Sequence, residues 1–189
     1  MRILVFMLII CGMLIGCNSV KKTIEPTAKS EALEAMITKK AFTIESDWLY
    51  PQPTASMNAI ANSGLLPLGS TTNSINLIGN PNYVKIYGDS IAMDLPFYGE
   101  RQLAGQYGGN DGGIVFKGIP DRYQVTKDEK RQRHMIKFSV RNHSESYRVI
   151  ITLYPNWDSS ITINSSHLTS IRYRGTVSVP ETDGAVVIN

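Results

Sequence analysis

Ile136-Lys137-Phe138-Ser139-Val140-Arg141, then Asn142-His143-Ser144-Glu145, then Ser146-Tyr147-Arg148-Val149-Ile150-Ile151-Thr152-Leu153 is the stretch that decides the fold class. Ile136, Phe138 and Val140 alternate with Lys137, Ser139 and Arg141, and Tyr147, Val149, Ile151 and Leu153 occupy every second place on the return. Apolar side chains at every second position mark a strand with one buried face, because successive Cβ atoms point to opposite sides of a sheet. The polar tetrad between the two runs is a turn. The reading is an antiparallel hairpin.

The same period extends in both directions. Downstream, Pro155-Asn156-Trp157-Asp158 turns the chain into Ile161 and Ile163, and Ile171 and Tyr173 alternate with Arg172 and Arg174. Upstream, Tyr123 and Val125 enter the polar turn Lys127 to Arg131, and Ile114-Val115-Phe116 forms a further short run. Val84 and Ile86 face back on Ile91, Met93 and Leu95 across Gly88-Asp89, a hairpin signature. Ile75 to Ile78 is a candidate strand stopped by Gly79-Asn80-Pro81, and Phe42, Ile44 and Trp48 share one parity. Between them, Pro51, Pro53, Gly64 and Pro67 mark a loop. Ser30 is placed to cap a short helix over Glu31 to Lys40, with Ala32, Leu33, Met36 and Ile37 at helical spacing. No segment after Lys40 has room for the crossover helices of a parallel sheet. The prediction is a mainly β fold, an antiparallel sandwich or barrel of about eight or nine strands with one short N-terminal helix.

Composition narrows the class. A chain of 189 residues, 42% hydrophobic and 19% charged, holds one domain with an ordinary core and is too apolar for a fully disordered protein. Two cysteines exclude a disulfide-rich scaffold and a zinc ribbon. A net charge of +3 is too small to argue for nucleic acid, and no nucleic-acid partner is expected.

The N-terminus carries an address. Met1-Arg2 is a short positive region, Ile3 to Ile10 is unbroken apolar sequence, and Leu14-Ile15-Gly16-Cys17 closes it. A run this short reads as an export signal, since a spanning helix needs about 20 apolar residues. The tetrad resembles the bacterial lipobox, which makes Cys17 the lipid attachment site. Cleavage before Cys17 removes Arg2 and Cys11 and leaves the mature protein without a free thiol. Several acyl chains make a stable anchor where one does not. The following residues, Asn18-Ser19-Val20-Lys21-Lys22, lack an aspartate next to the cysteine and lack an acidic cluster of the kind that resembles a surface-export signal. The expectation is a lipoprotein of the outer membrane facing the periplasm. Its parts are a signal peptide over 1–16, the lipidated cysteine and a tether over 17–29, one β-rich domain over 30–180 and a tail over 181–189.

Several segments together resemble a known family. Lys39-Lys40-Ala41-Phe42, Val84 to Ser90, Leu95-Pro96-Phe97-Tyr98-Gly99, Gly108 to Ile114 and Tyr147 to Pro155, with the lipobox, look like those of small Bacteroidota lipoproteins catalogued only as a domain of unknown function. The resemblance spans Lys39 to Gly175. It implies an envelope address and a mainly β fold, and it implies no activity.

Candidates for chemistry are few. His134, His143 and His167 show no metal-binding spacing, and there is no Gly-x-Ser-x-Gly elbow. Glu45 and Asp94 sit on the polar parity of predicted strands, so solvent is their default environment. No catalytic residue, metal site or cofactor is assigned. Around the glycine-rich segment Gly105 to Gly113, the residues Phe97, Tyr98, Tyr107, Asn110 and Asp111 combine aromatics with small polar groups, as a ligand or partner contact does. Core packing beside a tight loop is the competing explanation. Asp89-Ser90-Ile91 resembles the Asp-Ser/Thr-apolar acceptor of Bacteroidota O-glycosylation, making Ser90 a candidate against the plainer reading of a turn. By strand parity Lys137, Arg141, Arg148, Arg172 and Arg174 point outward, with Glu145 the one acid in these segments. Such a cationic face suits anionic lipid, an envelope protein or a glycan, and also simply keeps strands soluble. The favoured function is a lipid-anchored, non-enzymatic binding or interaction module of the envelope. The alternative is a small hydrolase or an enzyme inhibitor acting on envelope polymers.

Overall fold

A computed structural model describes residues 24–103, 113–142 and 145–180. Helix α1 (Ala28–Thr38) starts earlier than the sequence suggests, because Thr27 rather than Ser30 is the N-cap. The Ser30 N–H donates to Thr27 Oγ1 at 3.2 Å and the Thr27 N–H donates to Ser30 Oγ at 2.8 Å, so two donors at the helix start are paired reciprocally. Its buried residues Leu33, Met36 and Ile37 recur at one-turn spacing.

Ten strands and a second helix follow. They are β1 (Ala41–Tyr50), α2 (Ala55–Asn62), β2 (Ile75–Asn76), β3 (Tyr83–Tyr87), β4 (Ser90–Pro96) and β5 (Gly113–Gly118). After these come β6 (Asp121–Asp128), β7 (Arg133–Asn142), β8 (Glu145–Leu153), β9 (Asp158–Ser165) and β10 (Ile171–Ser178). The segment expected to be a loop after Lys40 therefore holds α2, capped by Thr54, whose hydroxyl accepts from the Met57 N–H at 3.2 Å. It buries Met57 and serves no parallel crossover.

The strands form one curled antiparallel half-barrel in the order β5-β4-β3-β1-β10-β9-β8-β7-β6, with β2 added beside β1. Strict alternation along that path gives β5 and β6 the same direction. Only Ile119 and Pro120 join them, too few for a crossover between parallel neighbours, so the two are successive parts of one bent strand. The corner includes Gly118 at φ +156° and Arg122 at φ +56°, with a register shift between Asp121 and Gln124. Asn142, at the end of β7, donates from Nδ2 to the Val115 carbonyl at 3.0 Å and ties one margin of the sheet to the other.

The concave side is the core. Phe42, Ile44, Val84, Leu95, Ile136, Val149, Ile151 and Tyr173 are each no more than 1% exposed. Tyr173 donates its hydroxyl to the Pro96 carbonyl at 2.8 Å, spanning from β10 to the end of β4. Helix α1 adds Leu33, Met36 and Ile37 to this core, and Lys127 of β6 holds it through an ion pair with Glu34 at 2.8 Å.

Strand β1 breaks the parity read from sequence. Ser46 opposes Gly175 and Trp48 opposes Arg174, so Asp47 is an extra residue and every later side chain changes face. Leu49 is buried in the core, and Trp48, expected inward with Phe42 and Ile44, faces out. Gly175 makes the close approach possible, since a Cβ there would lie 1.8 Å from the Glu45 carbonyl oxygen. On the other side of the bulge β3 covers residues 41–44 and β2 covers 48–49. Between them Asn82 acts as a strand in miniature: its Oδ1 accepts from the Ser46 N–H at 3.0 Å and its Nδ2 donates to the Ser46 carbonyl at 2.9 Å.

Candidate functional site

The outward face of the sheet carries the charge. Register aligns Lys137 with Ile150, Thr162, Arg172 and Tyr50 in one row across β7, β8, β9, β10 and β1. The neighbouring row is Met135, Thr152, Ser160, Arg174, Trp48 and Asn76, and on the other side Arg148 lies between Ser139 and Asn164. Lys137, Arg141, Arg148, Arg172 and Arg174 are all exposed and all lie outward, as their parity predicts. Among the described residues none of the five forms an ion pair. Arg148 lies two strands from β10 and is offset along it, roughly 12 Å from Arg172 and about 17 Å from Arg174 by strand spacing and rise, so one extended anionic surface can engage all three.

The face is not free of acid. Glu45 and Asp158 both stand opposite Thr176, Asp47 is exposed at the bulge beside Trp48, and Asp94 faces out on β4, so carboxylates share this side with the cations. Sequence order placed only Glu145 near the cations, because Glu45 is brought there by a pairing between β1 and β10 that no local pattern reveals. Glu145 itself is engaged, paired with Arg101 and accepting from the Tyr147 hydroxyl. Burial raises the Glu145 pKa, but the Tyr147 and Arg101 contacts outweigh it and hold the carboxyl below its usual range.

Sequence reasoning missed several outward residues. Lys85 and Lys117 share a row with Ala92, and Lys85 lies 5.0 Å over the Tyr83 ring. Trp48 and Tyr50 flank Arg174 and Arg172, and the inserted residue at the bulge hid them. The glycine within the arginine run at 175 was the one local clue.

The other candidates separate. Phe97 and Tyr98 are half-buried and pack against the core. Tyr107, Asn110 and Asp111, which sequence groups with them, lie outside the described residues, as do Cys17, His143 and the tail. Ser90 is the first residue of β4, half-buried opposite Tyr87 just after the Gly88-Asp89 turn. His134 points inward at 5% exposure, its Nδ1 without a partner among the described residues, whereas His167 Nδ1 meets Ser166 Oγ at 2.7 Å. Glu45 and Asp94 face outward on β1 and β4 with β3 between them.

A cleft of about 230 Å³ lies where the β3–β4 turn meets the bent β5–β6 corner, lined by Lys40, Ile86, Asp89, Ile91, Ile119 and Tyr123 among others. Lys40 pairs with Asp89 at 2.7 Å and stands 5.3 Å over the Tyr123 ring. Among the described residues the Tyr123 hydroxyl has no hydrogen-bond partner, and burial pushes its pKa up to about 12. Among the described residues no group of three His, Cys, Asp or Glu is placed to hold a metal ion, and no helix is long and apolar enough to cross a membrane.

Fold and surface define a class: a curled antiparallel half-barrel with a packed concave side and a cation-rich convex one. The chain belongs to the family described as "Domain of unknown function (DUF4251)", whose model matches residues 25–177. It is similar in fold to the crystal structure of a DUF4251 family protein from Bacteroides eggerthii DSM 20697, with 15% identity and a TM-score of 0.54. That likeness covers 82% of this chain and 89% of the other. A search of curated proteins finds none that matches.

Proposed function

We propose that this protein is a lipid-anchored, non-enzymatic binding module of the bacterial cell envelope, on the periplasmic side of the outer membrane, whose convex sheet face meets anionic headgroups. The observation that carries this reading is the set of five outward cations on β7, β8 and β10 without an ion pair among the described residues. The Leu14-Ile15-Gly16-Cys17 motif supports the anchor, which would keep that face beside a lipid surface. Clustered cations near anionic lipid gain roughly 1 kcal/mol each, less with salt. The binding needs no cofactor, and the outward, separated placement of Glu45 and Asp94 favours it over a hydrolase.

The test uses protein beginning at Asn18. Every described contact starts at Ile24 or later, so this chain retains the whole described fold. Changing Arg148, Arg172 and Arg174 together to Gln is expected to weaken binding to anionic vesicles severalfold while leaving the melting temperature nearly unchanged. Equal binding by the triple variant and the parent would overturn the assignment of the face.

A further inference from the structure

From Trp48 to Val84 the sequence has no Asp, Glu, Lys, Arg or His, although 19% of the whole chain is charged. This uncharged stretch leaves the sheet at the end of β1, forms α2 and returns as β2. It also exposes its aliphatic side chains: Leu65 is 75% exposed, Leu68 95% and Ile78 70%. Leu and Ile so exposed are ordinary when scattered, but here one amide side chain bridges the backbone of two of them. Asn76 Nδ2 donates to the Leu68 carbonyl at 3.3 Å while Asn76 Oδ1 accepts from the Ile78 N–H at 3.0 Å.

Asn76 also fixes which side of the sheet this prong occupies. It stands opposite Trp48, which stands opposite Arg174, so all three lie on the convex face. Tyr50 and Arg172 form the next outward pair. The order across the surface is therefore arginine, aromatic, amide and protruding aliphatic, with Glu45 and Asp158 in the next outward row toward the α1 end and Asp47 exposed at the bulge between Glu45 and Trp48. Each component matches one layer of a bilayer surface. Arginines meet anionic headgroups, Trp and Tyr favour the interface, and Leu and Ile favour the acyl boundary. A segment entering that boundary has to be free of charge, since a charge there is costly.

We propose that the Leu65–Leu68 turn with Ile78 inserts into the boundary of an anionic lipid bilayer, with Trp48, Tyr50, Arg172 and Arg174 seated at the headgroups behind it. This deepens the reading of the cationic face and rests on it. The turn sets the orientation of the fold on the membrane, and the cations set the attraction.

The experiment uses protein beginning at Asn18, which contains no cysteine, with Leu68→Cys or, as a control at the α1 end, Glu129→Cys labelled by an environment-sensitive fluorophore. Vesicles are phosphatidylcholine with or without phosphatidylglycerol. The expected result is a blue-shifted, brighter emission at position 68 on anionic vesicles and none at 129. Leu65→Asp with Leu68→Asp should weaken vesicle binding by at least about tenfold. Both residues are largely exposed, so the double variant is expected to melt like the parent. Vesicle binding that the triple Arg→Gln variant weakens, with an unchanged spectrum at 68, would overturn insertion and leave the electrostatic reading standing. No vesicle binding at all would overturn both. A shift at 68 that follows protein concentration without vesicles would assign the turn to a second copy and also overturn the proposal.

Discussion

Replacing Asn82 with Ala tests whether one side chain substitutes for a missing stretch of strand. Ser46 is 3% exposed and its backbone N–H and C=O both end on the Asn82 amide, at 3.0 and 2.9 Å. The same amide donates to the Asn80 carbonyl at 3.0 Å and so also holds the entry to β3. Alanine removes all three bonds and leaves two buried backbone groups facing an empty space. An orphaned buried group costs about 1–3 kcal/mol, and a water entering the vacated volume would return part of that. The expected loss is about 3 kcal/mol, equivalent to roughly 6–12 °C in melting temperature for a domain of this size. Urea unfolding followed by circular dichroism measures it, with an unchanged slope showing that the unfolding reaction is the same. Asn82→Asp should be no better, since it keeps an acceptor for the Ser46 N–H but turns a carboxylate toward the Ser46 carbonyl. A loss below about 0.5 kcal/mol for Asn82→Ala would refute this account of the β1 edge.

Gly175→Ala should be at least as damaging, at about 3 kcal/mol or more, because its Cβ would collide with the Glu45 carbonyl and the bulge has backbone on both sides; soluble yield and the urea midpoint report it. His134 gives a pH signature. Burial holds its imidazole pKa below the ordinary 6.5, helped by Lys127 and opposed by Glu34 and Glu129, so below pH 6.5 the unfolded chain binds more protons than the folded one. Its contribution to stability is complete above 6.5 and is lost as pH falls through the lower folded value, a slope that His134→Gln should flatten in urea midpoints measured across that window. Cys17→Ser should abolish acyl labelling and release the protein from the membrane fraction, whereas a wild type without fatty acid would remove the anchor from the account.

Strands were legible wherever one face is buried and the other wet. The β7–β8 hairpin is written out by Ile136 to Leu153, and the β3–β4 hairpin by Val84 to Leu95 around Gly88 at φ +59°. Helix α2 was not, since eight residues between prolines and a glycine carry too little periodicity to outweigh those breakers. Trp48 was misplaced because a bulge changes the face of everything after it, and the bulge is a property of two paired strands rather than of one. The candidate surface divides in the same way. Parity alone put Lys137, Arg148 and Arg174 outside, but the company of Trp48, Tyr50 and Glu45 comes from the β1–β10 register, which joins residues more than a hundred positions apart. Sequence also missed the role of Asn82, which is a backbone-pairing device that its residue type permits and no pattern announces.

The proposed membrane binding of the convex face rests on the charge of Lys137, Arg141, Arg148, Arg172 and Arg174. Its most direct measurement is the partition of unlipidated protein, beginning at Asn18, between buffer and vesicles as phosphatidylglycerol content and salt are varied. The account predicts binding that rises with the anionic fraction and falls steeply between about 20 mM and about 500 mM salt, as screening shortens the reach of the arginines. Absence of binding at the lowest salt, or binding equal on pure phosphatidylcholine, would contradict it.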